Sequence, residues 1–234
     1  DEELKLLWPE KFQRKILQDL LREKGWYEFS AQYRNDPIPQ EDATFKREHF
    51  QYFDLEDTRG KLLNKIMTID PAIAIEKESD FTAIIVTGID QFGNIFILDV
   101  WRGKVKPREL IDQIFRMNST WYPKVVAIET IAFQKALAYS LREEMARMGK
   151  YLPIKEIQSH DRSKDQRIQG LQPQYEQHKV FHRNNHEMTQ YLEHELVSFP
   201  RGKNDDMIDA LSFALEFLIP PRPKQKRFHH EFLY

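Results

Sequence analysis

The chain has 234 residues, with 35 Lys and Arg against 37 Asp and Glu and 41% hydrophobic residues, enough for one sizeable domain with an appended segment. It contains no cysteine, which excludes disulfides and thiolate metal sites, and no apolar run is long enough for a membrane span or a signal peptide. A formal net charge of -2 neither demands nor excludes a polyanion partner, so the placement of the charges has to decide.

Residues 5–34 read as one or two helices, with Leu6, Leu7, Phe12, Ile16, Leu20 and Leu21 spaced for an apolar face and Pro9 in a first turn. Asn35-Asp36-Pro37-Ile38-Pro39 then opens an extended connector to about Asp57, because its two prolines discourage helix. It is expected to pack as a strap on the main domain. The sequence starts at Asp1, and its first segment is helical but poorly self-contained, which suggests a piece of a longer protein.

The main domain is expected from residue 61 to 219. A strand over 64–70 precedes a hairpin of 81–89 and 94–101, turned by Asp90-Gln91-Phe92-Gly93-Asn94. Pro107 opens a helix to about Trp121 with Leu110, Ile111, Ile114 and Phe115 at helical spacing. A strand over 124–129, a helix over 133–148 ending at Gly149 and a strand over 152–157 complete a mixed α/β sheet. Beyond Ser159 lie a helix over 163–178, a short extended piece at Val180-Phe181-His182, a helix over 186–197 and a last helix over 205–218. Residues 220–234 hold three prolines with Lys224, Lys226 and Arg227 and read as a flexible basic tail.

The acids carry the most information. The runs Lys65-Ile66-Met67-Thr68-Ile69-Asp70 and Val125-Val126-Ala127-Ile128-Glu129 each end on a carboxylate, and Asp205-Asp206 with Asp209 opens the last helix. Any one of these is ordinarily a solvated turn residue or a helix cap. Converging at one sheet edge, they would form an oxygen-only site suited to Mg²⁺ or Mn²⁺. Such a site fits two-metal phosphodiester hydrolysis, with Asp70 as the bridging carboxylate, Glu129 on one ion and Asp205 or Asp206 on the other.

These residues also carry a family resemblance. Thr68-Ile69-Asp70-Pro71-Ala72, Ser79-Asp80-Phe81-Thr82-Ala83, Val126-Ala127-Ile128-Glu129-Thr130, Ser163-Lys164-Asp165-Gln166-Arg167-Ile168 and the stretch from Phe199 to Ala210 resemble the C-terminal nuclease domain of tailed-bacteriophage large terminase subunits. Leu7-Trp8-Pro9-Glu10, Ala31-Gln32-Tyr33 and Asp36-Pro37 are similar to the stretch joining that family's ATPase to its nuclease. The resemblance implies an RNase H-like α/β fold and a DNA endonuclease that cuts concatemeric viral DNA during packaging. It implies two divalent cations, Mg²⁺ or Mn²⁺, held by Asp70, Glu129, Asp205 and Asp206, with Asp209 and Asp80 as further candidates.

By the same resemblance residues 1–60 would link to an N-terminal ATPase, whose phosphate-loop motif this sequence lacks. The implied partners are double-stranded DNA, that ATPase domain, a small terminase subunit and a portal or procapsid, in the cytoplasm of an infected bacterial host. Where some relatives carry His before the paired acids, this chain has Asn204, which argues against a His ligand there. Arg102, Lys104, Lys106, Lys164, Arg167, Arg201 and Lys203 are candidate phosphate contacts, and His160 is a candidate proton shuttle beside a strand end. Two alternatives stay open: another RNase H-like nuclease of resolvase or transposase type, or a docking module for DNA or portal that does not cut.

Overall fold

A computed structural model describes residues 43–71, 81–129, 135–157 and 163–222. The expected N-terminal helices, Asp80, His160 and most of the basic tail lie outside these residues. In chain order the elements are β1 (Gln51–Phe53), β2 (Asn64–Asp70), β3 (Thr82–Ile89), β4 (Ile95–Gly103), α1 (Pro107–Trp121), β5 (Val125–Glu129) and α2 (Lys135–Met148). Then come β6 (Ile154–Ile157), α3 (Lys164–Gln169), α4 (Gln172–Glu176), β7 (Val180–Arg183), α5 (Thr189–Ser198) and α6 (Asp206–Ala214).

The strands form one mixed sheet in the order β1-β7-β4-β3-β2-β5-β6. β3 is antiparallel to β2 and β4, and every other pairing is parallel. All strands except β3 therefore end at the same edge of the sheet. The β3–β4 turn lies at the other edge, closed by Asp90, whose Oδ1 accepts the N–H groups of Phe92 and Asn94 at 2.8 and 2.9 Å. Gly93 supplies the left-handed step there, with φ of +82°.

Helices cover both faces, which is why the central strands are apolar on both sides. Met67, Ile69, Ile84, Val86, Val126 and Ile128 pack with α1 and α2 through Leu110, Ile114, Phe115 and Leu141. Ala83, Ile85 and Ile97 pack on the opposite face with Ile168, Tyr175, Leu192, Leu196, Ile208 and Leu211. Alternation along a strand then fixes where the acids point. Met67 and Ile69 face α1 and α2, so Asp70 faces α6; Val126 and Ile128 likewise place Glu129 on the α6 side, where Ala127 meets Phe213.

Of the expected connector, the residues from Ala43 onward are described, and these pack against the main domain. Phe45 and Phe50 are buried against Tyr175 and Phe199, and β1 continues the sheet by pairing with β7. Two helices differ from expectation. The stretch read as one helix over 163–178 breaks between α3 and α4, where Pro173 lies in the first turn of the second helix and has no N–H to continue the first. The last helix stops at Ala214, and turns carry the chain through Phe217.

Candidate catalytic site at the carboxyl edge of the sheet

β2 and β5 run parallel with Ile69 opposite Ile128, so the next residues, Asp70 and Glu129, end adjacent strands side by side. α6 packs across this part of the sheet through Met207, Ile208 and Leu211, which lie in the core. Its N-cap is Asp205, whose side chain makes no capping hydrogen bond, and its first turn contains Asp206 and Asp209, both buried. The buried acids of this first turn, Asp206 and Asp209, are thus turned inward, toward the strand ends.

Two cations from α3 meet this acidic face. Ser163 caps α3 by accepting the N–H of Gln166, and the one-turn spacing of Lys164 and Arg167 presents both to α6. Arg167 donates through Nε and Nη2 to Asp209 Oδ1 at 3.1 and 2.5 Å, and its Nη2 is 4.0 Å from Glu129 Oε1. Its guanidinium lies 4.2 Å from the centre of the Phe213 ring, a favourable cation–π position. Lys164 Nζ donates to Asp205 Oδ1 at 2.7 Å and stands 3.5 Å from Asp209 Oδ2. Both residues, expected from sequence to reach phosphates, are engaged with the candidate ligands.

The electrostatics mark the site as crowded with negative charge. Burial pushes the Asp70 carboxyl well above the ordinary carboxylate range, and the neighbouring charges of Asp209, Glu129 and Asp206 push it further, with Lys164 acting the other way. Burial disfavours the Lys164 ammonium, but the hydrogen bond to Asp205 and the charges of Asp209, Asp205 and Asp70 outweigh it and raise its pKa. The fold therefore brings Asp70, Glu129, Asp206 and Asp209 to one edge, with Asp205 joined through Lys164. Among the described residues, no three His, Asp or Glu side chains already form a metal-holding group. The donor set is nonetheless all carboxylate oxygen, and the repulsion on Asp70 is of the kind a hard divalent cation relieves.

The other basic candidates divide. Lys104, Lys106, Arg201 and Lys203 are exposed, with Lys104 Nζ 4.7 Å from the centre of the Phe81 ring. Arg102 is turned inward: its side chain is 9% exposed, and it donates to Glu195 Oε1 at 3.1 Å. Glu195 itself was not among the sequence candidates. Its Oε2 accepts the N–H groups of Met207 and Ile208 at 2.8 and 3.2 Å, and burial first, with Asp206 adding to it against Arg102 and those N–H groups, raises its pKa to about 7. The sequence did hold a signal, since Leu192, Glu195 and Leu196 fall at i, i+3 and i+4 and place a carboxylate within an apolar stripe.

Comparison with known proteins adds the family. No curated protein matches the chain. Among solved structures, the chain is similar to the large terminase nuclease from the thermophilic phage G20c, solved with bound zinc, at 17% identity over 72% of this chain and 94% of that one, with a TM-score of 0.49. It is also similar to the HK97 bacteriophage large terminase, at 11% identity over 86% of this chain, with a TM-score of 0.47, and it spans only 50% of that protein's length. A fowlpox virus Holliday junction resolvase matches at 14% identity over 65% of this chain and 96% of its own, with a TM-score of 0.41. Likenesses at this level carry little weight beside a sequence-profile match. The profile described as the terminase RNase H-like domain matches residues 67–217, well over half the chain and every described candidate acid, and so the chain belongs to the terminase RNase H-like domain family.

Proposed function

We propose that this domain is the metal-dependent DNA endonuclease of a viral large terminase, cutting concatemeric double-stranded genome DNA during packaging. The observation that carries the reading is geometric: β2 and β5 end side by side on Asp70 and Glu129, facing the buried acids of the first turn of α6, whose charges raise the Asp70 pKa. A structural acid is normally balanced by a cation or N–H donors; on this one the charges of three acids act against that of Lys164.

Asp70, Glu129, Asp205 and Asp206 are the residues that would hold two Mg²⁺ or Mn²⁺ ions, with Asp209 a further candidate. Bound there, such ions supply water activation and stabilise charge developing on the phosphate. The rigid ends of β2 and β5 fix Asp70 and Glu129, and the packed face of α6 fixes the others. Lys164, 40% exposed and held cationic by its neighbours, is placed to donate to a phosphate oxygen once it leaves Asp205. Exposed Lys104, Lys106, Arg201 and Lys203 would orient the DNA backbone without reading bases. In the full-length protein an ATPase domain, a small terminase subunit and the portal or procapsid would complete the machine. The segment ahead of residue 61 would link to the ATPase.

Relaxation of supercoiled plasmid in Mn²⁺ or Mg²⁺ tests this. Wild-type protein is expected to nick and linearise DNA, and Asp70→Asn to lose the activity by a hundredfold or more. Plasmid left intact by wild-type protein at every metal concentration would favour a docking module that does not cut.

A further inference from the structure

We infer that Glu195 is the positioning residue that holds the metal-binding acids of α6, and that Arg102 serves this carboxylate rather than DNA. The inference rests on the proposed nuclease reading and adds a residue from outside the acidic cluster. Glu195 is 2% exposed and lies on α5, yet its side chain is spent on the first turn of α6. One oxygen accepts both the Met207 and the Ile208 N–H, two of the donors that a helix start leaves without an intrahelical partner. These N–H groups directly follow Asp205 and Asp206.

The ordinary device for this task is the N-cap side chain, and here it is missing. Asp205 occupies the N-cap but makes no capping hydrogen bond, and its carboxylate lies with Lys164 instead. A residue that caps its own helix cannot also turn both oxygens outward to a ligand. Glu195 takes over the capping, so neither Asp205 nor Asp206 is needed for it. The cost is a buried carboxylate near Asp206, and Arg102 offsets it from the end of β4 at 3.1 Å. Arg102 is itself fixed, 4.3 Å from the Phe81 ring centre and 5.5 Å from that of Tyr191. β4, α5 and α6 are thus pinned together at the point where the acids must be aligned to within a fraction of an ångström.

The test compares wild type, Glu195→Gln, Glu195→Ala and Asp70→Asn by two readouts. Amide hydrogen exchange without metal reads the first turn of α6: residues 206–209 are expected to exchange at least tenfold faster in Glu195→Ala and less so in Glu195→Gln, which keeps an acceptor oxygen. Calorimetric titration with Mn²⁺ alone reads the acids: affinity is expected to fall about tenfold or more in Glu195→Ala, with partial rescue in Glu195→Gln. Glu195→Gln also keeps the experiment informative should Glu195→Ala fail to fold. Unchanged exchange at 206–209 in both variants, or Mn²⁺ affinity equal to wild type where exchange has risen, would overturn the inference. Mn²⁺ binding that is equally strong in wild type and Asp70→Asn would instead overturn the nuclease reading, leaving the exchange result to decide the capping role.

Discussion

Replacing Asp70 with Asn should abolish cutting and yet stabilise the protein when no metal is bound. The substitution keeps the shape of the side chain and deletes one negative charge beside Asp209, Glu129 and Asp206. Two unit charges about 6 Å apart repel by roughly 3 kcal/mol at an effective dielectric of 20. Lys164 already offsets part of this, so a net gain of about 1–2 kcal/mol is expected, or a rise of roughly 2–8 °C in Tm for a domain of this size. The gain must depend on pH. Because the folded-state pKa of Asp70 is raised, the folded protein binds this proton more tightly than the unfolded chain. The wild-type stability so contributed is complete below the ordinary value of 3.8 and is lost as pH climbs through the raised value. Asp70→Asn should therefore exceed wild type at pH 8 in EDTA, and the difference should shrink on acidification. Thermal unfolding of both proteins across pH 5–8 provides the measurement. A fall of several degrees in the apo variant at pH 8 would refute the reasoning and make Asp70 a structural acid.

Other outcomes follow from the same geometry. Arg167→Met would leave Asp209 buried without its guanidinium partner, at a cost of about 3 kcal/mol, read as a lower urea midpoint. Substituting Lys104, Lys106, Arg201 and Lys203 together by Gln should leave Tm within a degree or two, since all four are exposed. It should also flatten the salt dependence of DNA binding, by close to one unit of slope per lost phosphate contact; binding by fluorescence anisotropy over a range of salt would detect this. Phe50→Ala, in the strap, should cost about 3–4 kcal/mol, because Phe50 is buried against Tyr175 and His182. An unchanged urea midpoint would mean that the strap is not part of the folded unit.

Much of the sheet edge was legible because it is built from local patterns. β2 and β5 announce themselves as apolar runs that end on acids, and the alternation of their side chains fixes the face on which Asp70 and Glu129 emerge. α6 reads as a helix because Ile208 and Leu211 recur at helical spacing, although its end was placed four residues late. Tertiary partners were not legible. Arg102 stands just past the strand expected over 94–101, as Lys104 does, and nothing local distinguishes the inward side chain from the outward one; the distinction lies in Glu195, 93 residues away. Lys164 and Arg167 were expected to reach phosphates; their engagement with Asp205 and Asp209 depends on how α3 packs on α6, which no local pattern declares. The parallel pairing of β1 with β7 joins segments from opposite ends of the chain, and two strands of three and four residues carry too little periodicity to declare it.

Joint binding of divalent cations by the carboxylates at the ends of β2 and β5 and the start of α6 is the step on which the proposed nuclease depends. It is tested most directly by a crystal structure of the protein grown with Mn²⁺, with the metal located by its anomalous scattering. A peak is expected about 2.2 Å from Asp70 oxygens, shared with Glu129, Asp205 or Asp206, with Lys164 displaced from Asp205. Mn²⁺ absent from this edge at saturating concentration, with Lys164 still bonded to Asp205, would contradict it.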